Sequence, residues 1–266
     1  MLKNYSKELN EAASYVRSLG YHPIFVCLAG SQNYGLDISS DKYQSDFDFK
    51  CVILPRLEDL VAGGAPLSTS LHYGNGFIDL KDIRAFMDAV IKCNPSYIEA
   101  LYTPYYLIVD ESIDLFKWIL EKRYSLLKDL APSFVKALCG SFIKIKSGMK
   151  SKEADHPDTG YDGKSASHLY RLLVMLRSFR ATDGLYLIPE EEDRKYLVSL
   201  KLESFPKYFV ESEIASWDQE MADIRKALLD ELPPLSLKTA DFLKEKVNDT
   251  LFHFCLTDEG KKHRRP

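Results

Sequence analysis

The sequence predicts an α+β fold, a small sheet in the first third of the chain followed by an all-helical second half, and two observations carry that reading. Up to about residue 110, short apolar runs alternate with Gly, Pro and Asn turn signals, the punctuation of strands and tight connections. Beyond that point glycines thin out and apolar residues recur at three- and four-residue spacing, the periodicity of amphipathic helices. We therefore divide the 266 residues into a first unit, 1–125, and a helical unit, 126–266. A hydrophobic fraction of 45% and a charged fraction of 28% place both in the ordinary globular range.

Each element has its own signal. Residues 6–19 form an amphipathic helix with Ser6 as N-cap, Leu9, Ala12, Ala13 and Val16 along one side and Gly20 as the stop. Ile24 to Ala29, a continuous apolar run between Pro23 and Gly30, reads as a strand buried on both faces. Phe47 to Leu54 is a second such strand and Gly76 to Leu80 a shorter third. Ala62 to Asn75, with its Gly, Ser and Thr, reads as a surface loop. Helices follow over 81–92 and 95–102, the second capped by Asn94 with Pro95 in its first turn. Tyr105 to Val109 adds an edge strand, and helical spacing then covers 111–123, 132–150, 163–180, 191–202, 209–231 and 238–253.

Composition excludes several classes. No apolar run approaches the ~18 residues that span a bilayer, and MLKNYSKELNEA is too polar for a signal-peptide core, so we expect a cytoplasmic protein with no membrane partner. Five cysteines, odd in number and set in apolar surroundings such as FVCLAG, read as core residues, and no Cys-x-x-Cys pair suggests structural zinc. A net charge of −4 argues against holding nucleic acid by charge alone. The tail KKHRRP reads as a solvated end and the Lys136–Lys152 stretch as a solvated basic face.

The chemistry concentrates in three places. Gly30 and Ser31 close the first strand, and SQNYG can turn into a short helix whose N–H groups and Ser31 hydroxyl suit an anion. Asp46 and Asp48, two apart in a strand, share one face; their mutual repulsion is relieved by a hard cation such as Mg²⁺, the bland alternative being a solvent-facing acidic strand. Asp79 is the third carboxylate, brought to the same face by a neighbouring strand, whereas Asp82 belongs to the first turn of the next helix. Lys164, His168 and Arg171 form a cationic stripe at offsets of four and three, distinct from the apolar stripe of Leu169, Leu172, Leu173 and Leu176. Tyr161 is assigned to core packing, and His72 and His156 receive no role.

Gly30-Ser31 after a strand, then the hydrophobic-flanked Asp46-Phe47-Asp48, then an acidic residue on a later strand, resemble the polymerase-beta nucleotidyltransferase superfamily. Gly30-Ser31-Gln32-Asn33-Tyr34-Gly35-Leu36, Ser45-Asp46-Phe47-Asp48, Asn94-Pro95 with Glu99-Ala100-Leu101 and Pro104, and Lys164 to Leu173 look like the predicted nucleotidyltransferases associated with RNA-repair ligases. The interval from Ser31 to Asp46 is longer than the superfamily's usual one but suits this branch. The resemblance spans roughly residues 25–180. It implies a small mixed sheet with flanking helices, a helical domain closing a nucleotide cleft, and two Mg²⁺ ions held by Asp46, Asp48 and Asp79. It also implies a nucleoside triphosphate such as ATP on Gly30, Ser31, Lys164, His168 and Arg171, and transfer of the monophosphate to a hydroxyl, an RNA end among the candidates. Transfer to a protein side chain, as in antitoxin-like enzymes, and a non-catalytic nucleotide-binding module are the competing readings; retention of both Asp46 and Asp48 speaks against the second. Glu99 has no role that the sequence explains.

Overall fold

The computed structural model describes residues 3–40, 43–182, 184–185, 187, 189–233 and 236–256, so the KKHRRP tail lies outside the described residues. The chain begins with α1 (Ser6–Ser18), whose 13 residues are marginal as an isolated helix. Its stability comes from seating Leu9, Ala12, Ala13 and Val16 on the sheet. Gly20, at φ +81°, ends it as expected. Ser6 is not the cap: it lies inside the helix, and Asn4 Oδ1 accepts from its N–H at 3.0 Å instead.

β1 (His22–Ala29) follows, buried along its whole centre, and leads into the single turn α2 (Gly30–Asn33). A two-residue ribbon, β2 (Ser39–Ser40) with β3 (Tyr43–Gln44), precedes β4 (Asp48–Leu54). Next come α3 (Leu57–Val61), β5 (Ser68–Tyr73), β6 (Gly76–Asp82), α4 (Ile83–Ile91), α5 (Pro95–Tyr102) and β7 (Tyr106–Ile108). The sheet order is β5-β6-β4-β1-β7, with β4 and β6 parallel and the other pairs antiparallel, so the fold is α+β with a mixed sheet. β5 corrects the loop expected over Ala62–Asn75. Its Ser68-Thr69-Ser70 run is solvent-exposed and so lacks the apolar alternation that marks a half-buried strand.

Helices supply the rest: α6 (Leu115–Asp129), α7 (Ala131–Met149), α8 (Gly163–Thr182), α9 (Glu191–Lys201), α10 (Lys207–Glu231) and α11 (Leu237–Leu256). Strand alternation sorts the sheet's side chains between two cores. Val26, Leu28, Phe49, Cys51, Ile53, Ile78 and Leu80 meet α1, whereas Phe25, Cys27, Val52 and Leu54 face a larger core that continues through α4, α5 and the helical half. Leu169, Leu172, Leu173 and Leu176 are buried in that core, as is Tyr161. Cys27, Cys51, Cys93 and Cys139 are buried free thiols and Cys255 is half-buried. Asn94 caps α5, accepting from the Ser96 N–H at 3.1 Å, with Pro95 in the first turn. Among the described residues no helix is long and apolar enough to cross a membrane.

Candidate active site

The antiparallel register of β1 and β4 sets Ala29 opposite Asp48, so the end of one strand and the start of the other meet at one rim of the sheet. Gly30 leaves β1 at φ +64°, a conformation that favours glycine. A Cβ on Gly30 would lie 2.7 Å from Asp48 Oδ2, and one on Gly76 would lie 2.2 Å from the Phe47 carbonyl oxygen and 3.1 Å from Asp48 Oδ1. One glycine at the start of α2 and one at the start of β6 thus leave the Asp48 carboxylate its space, and the Phe77 N–H donates to Oδ1 at 3.2 Å.

Asp46 departs from the expected strand geometry. Residues 45–47 precede β4 and carry no strand pairing, so the two carboxylates do not share a face through strand alternation. Buried Ser45 fixes that segment instead: its N–H donates to the Ile38 carbonyl at 2.9 Å, and its Oγ accepts from the Ile38 N–H at 2.8 Å. Asp46 and Asp48 still line the same cavity, of about 620 Å³.

Asp79 pairs with Lys50 in the parallel register and therefore shares the sheet face of Asp48 and Lys50. Its carboxylate accepts from Lys50 Nζ at 3.0 Å and from the Tyr97 hydroxyl, while the Lys50 ammonium rests 4.2 Å from the centre of the Tyr97 ring. Asp79 is thus engaged outside the cavity lining. Among the described residues no group of three or more His, Cys, Asp or Glu is arranged to hold a metal ion. Asp82 is wholly buried and caps α4, accepting from the N–H groups of Arg84 and Ala85 at 2.9 and 3.1 Å.

Gly30 and Ser31 line the cavity beside the two carboxylates, and the wall across from them is cationic. Lys164, His168 and Arg171 reach it from α8, Lys144 from α7, Lys152 from the 3₁₀ turn after α7, and Lys201 from the end of α9. Gly163 brings α9 in: a Cβ there would stand 2.4 Å from the Leu200 carbonyl oxygen and 3.0 Å from that of Lys201. Burial, and next the charge of Lys164, hold the Lys201 ammonium below its ordinary pKa, while Asp46 and Asp37 act in the opposite direction. Lys201 therefore feels both walls. The His168 imidazole is pushed down to about 3, first by desolvation and then by Arg171 and Lys164. The residue stays exposed to the cavity, so solvent softens the effect, and its direction says that the ring is neutral at pH 7.

Arg171 has a different setting from the other cations. Glu99, from α5, binds its guanidinium and also accepts from the Tyr34 hydroxyl at 2.5 Å, and the guanidinium lies 4.2 Å from the centre of the Tyr34 ring. Burial disfavours the Arg171 charge, but Glu99 and Tyr34 more than offset it. Glu99 is thus the anchor of a basic residue. Lys201 gave no signal in sequence, being one lysine among many at a helix end. Lys144 and Lys152 were visible only as members of a basic stretch, of which Lys146 is taken by Asp218 at 2.5 Å. His156, given no role, pairs with Glu203 at 2.6 Å, away from the cavity lining.

The architecture and cavity define an α+β protein with an acidic pair facing a basic helical wall. No protein-family model matches the chain, and no curated protein matches it either. Among solved structures, a nucleotidyltransferase-like protein from Exiguobacterium sibiricum 255-15 matches at 11% identity over 98% of this chain and 78% of that one, with a TM-score of 0.29. At that score the likeness carries no argument.

Proposed function

We propose that the chain is a magnesium-dependent nucleotidyltransferase that moves a nucleoside monophosphate from a triphosphate to a hydroxyl, an RNA end being the acceptor we favour. One observation carries the reading: a single cavity sets Asp46 and Asp48 against Lys144, Lys152, Lys164, Lys201 and His168. Magnesium is commonly held by one or two carboxylates together with substrate phosphates. The pair fits that role, because no ion pair among the described residues engages Asp46 or Asp48 and two glycines keep the Asp48 oxygens clear. When bound, the metal would supply charge neutralisation on the triphosphate and on the departing pyrophosphate.

The chain's own residues then have separate tasks. Ser31 and the N–H groups beside Gly30 hold the outer phosphates from the sheet side, and Lys164 and neutral His168 meet them from α8. The acceptor oxygen bonds to the α-phosphorus as the bond to the bridging oxygen breaks, pyrophosphate leaves with the electron pair of that bond, and the hydroxyl proton passes to solvent. Holding both reactants in line is the main source of rate in this chemistry. A second ion would call on Asp79 as the third carboxylate, and Asp79 would have to give up its Lys50 partner to hold it.

The test is thermal unfolding with each of the four ribonucleoside triphosphates, with and without Mg²⁺, beside an Asp46→Asn/Asp48→Asn variant. A ligand that binds only the native state at a hundred times its Kd stabilises by about 2.7 kcal/mol. A metal-dependent rise in Tm for at least one triphosphate, lost in the variant, is expected. No rise with any of the four removes the nucleotidyltransferase reading.

A further inference from the structure

We infer that Tyr34, Glu99 and Arg171 form a positioning clasp that sets the spacing between the acidic and basic walls of this cavity. The inference takes its ligand, but not its geometry, from the nucleotidyltransferase reading. The three residues come from three elements: Tyr34 ends α2, Glu99 lies in α5 and Arg171 in α8. Glu99 is the shared partner, with one carboxylate oxygen toward the Tyr34 hydroxyl and the other toward Arg171 Nη1.

Arg171 has little left for a phosphate. Its side chain is only 11% exposed and that of Glu99 4%. One face of the guanidinium covers the Tyr34 ring, and Nη1 also meets Met175 Sδ at 3.5 Å. A guanidinium recognises phosphate through a free planar fork, and here Nη1, one arm of that fork, is held by Glu99 and one face of the plane by Tyr34. Exposed Lys164 and His168, on the same stripe of α8, remain to meet the ligand.

The clasp bears on Ser31 through a short path. The Tyr34 N–H donates to the Ser31 carbonyl at 3.2 Å and the Leu36 N–H donates to the same oxygen at 2.9 Å, so Tyr34 and Ser31 move together. α2 has a separate tie to the segment after α5, where the Thr103 hydroxyl donates to Asn33 Oδ1 at 2.5 Å. The clasp links it to α8. Arg171 is therefore a positioning residue: it holds the Ser31 turn at a set distance from Lys164.

Two readouts test this on the full chain, in a Cys255→Ser background because the other four cysteines are buried. The first is calorimetric titration with Mg²⁺ and each ribonucleoside triphosphate, at a temperature well below every variant's Tm. Tyr34→Phe keeps the ring and loses the hydroxyl, and Glu99→Gln keeps the volume and loses the charge. Each is expected to weaken triphosphate binding about tenfold, with the double variant no weaker than the worse single one, the signature of a coupled unit. The second is the distance distribution between spin labels at Lys7→Cys and Arg180→Cys, both exposed, which is expected to broaden in either variant without any ligand. If the parent binds no triphosphate but the distribution broadens, the nucleotide reading falls and the clasp stands. If the parent binds and both variants match it in affinity and distance, lowering only Tm, the clasp is overturned.

Discussion

His168 shows how one side chain's environment becomes a measurable property. Its folded pKa is depressed to about 3 from the ordinary 6.5, so the unfolded chain binds the proton more tightly than the native one. Stability from this group is complete above pH 6.5 and declines as pH falls from there toward 3. Comparing His168→Gln with the parent by urea denaturation at several pH values isolates the effect from the carboxylates. The parent's advantage is expected to grow from pH 4 to 6.5 and to level off above it. A difference that stays flat across that range would show that the ring is not held neutral. The neutral state matters to the site, because an uncharged imidazole beside Lys164 adds a hydrogen-bonding group to the basic wall without another positive charge.

At the scale of elements, the start of α8 decides where the basic wall stands. Asp162 caps that helix, accepting from the Ser165 N–H at 3.1 Å and the Ser165 hydroxyl at 2.6 Å, and it also binds Lys152 Nζ at 2.7 Å. Burial opposes its charge, yet Lys152 and Ser165 hold its pKa down to about 2. Asp162→Ala removes both cap and ion pair, and a loss of about 1–2 kcal/mol is expected in urea denaturation. Asp162→Asn retains the cap, and since Lys152 is 52% exposed its ion pair is screened, so less than half of that loss is expected. Equal losses would assign the contribution to Lys152. The elements differ in how legible they were. α1, β1 and α5 announce themselves because an apolar stripe, an apolar run between Pro23 and Gly30, and an Asn94-Pro95 start are local signals. β5 was missed because pairing with β6 is a long-range event that its exposed polar residues do not record. Asp46 was placed in the strand by sequence spacing, but the Ser45–Ile38 hydrogen bonds that hold it outside depend on tertiary contact. Glu99 had no local meaning at all: its partners, Tyr34 and Arg171, are 65 and 72 residues away.

For the whole molecule, positive charge is gathered in the cavity of a chain whose net charge is negative. The chain carries a net −4, yet the cavity gathers four lysines around two aspartates and Glu99. Such a protein attracts a triphosphate locally while its remaining surface repels a long polyanion. Lys152 is committed to Asp162, and Lys201 is half-buried with its charge disfavoured, so Lys144 and Lys164 are the cavity lysines exposed to solvent and outside every ion pair described here. If an RNA end is the acceptor and, with no triphosphate bound, contacts the protein through those two lysines, binding releases a share of the condensed counterions for each phosphate neutralised. For single strands, log K against log salt then has a slope of about −0.7 per phosphate, or roughly −1.4 for two. Fluorescence anisotropy of a short single-stranded RNA, with Mg²⁺ held constant and KCl varied, reads that slope directly. A shallow value near −1.4, reduced by about half in Lys144→Ala, is expected. A slope several times steeper would place the acceptor on a basic surface other than this cavity, and no binding at any salt concentration would transfer the acceptor role from RNA to a protein hydroxyl, for which net charge presents no such barrier.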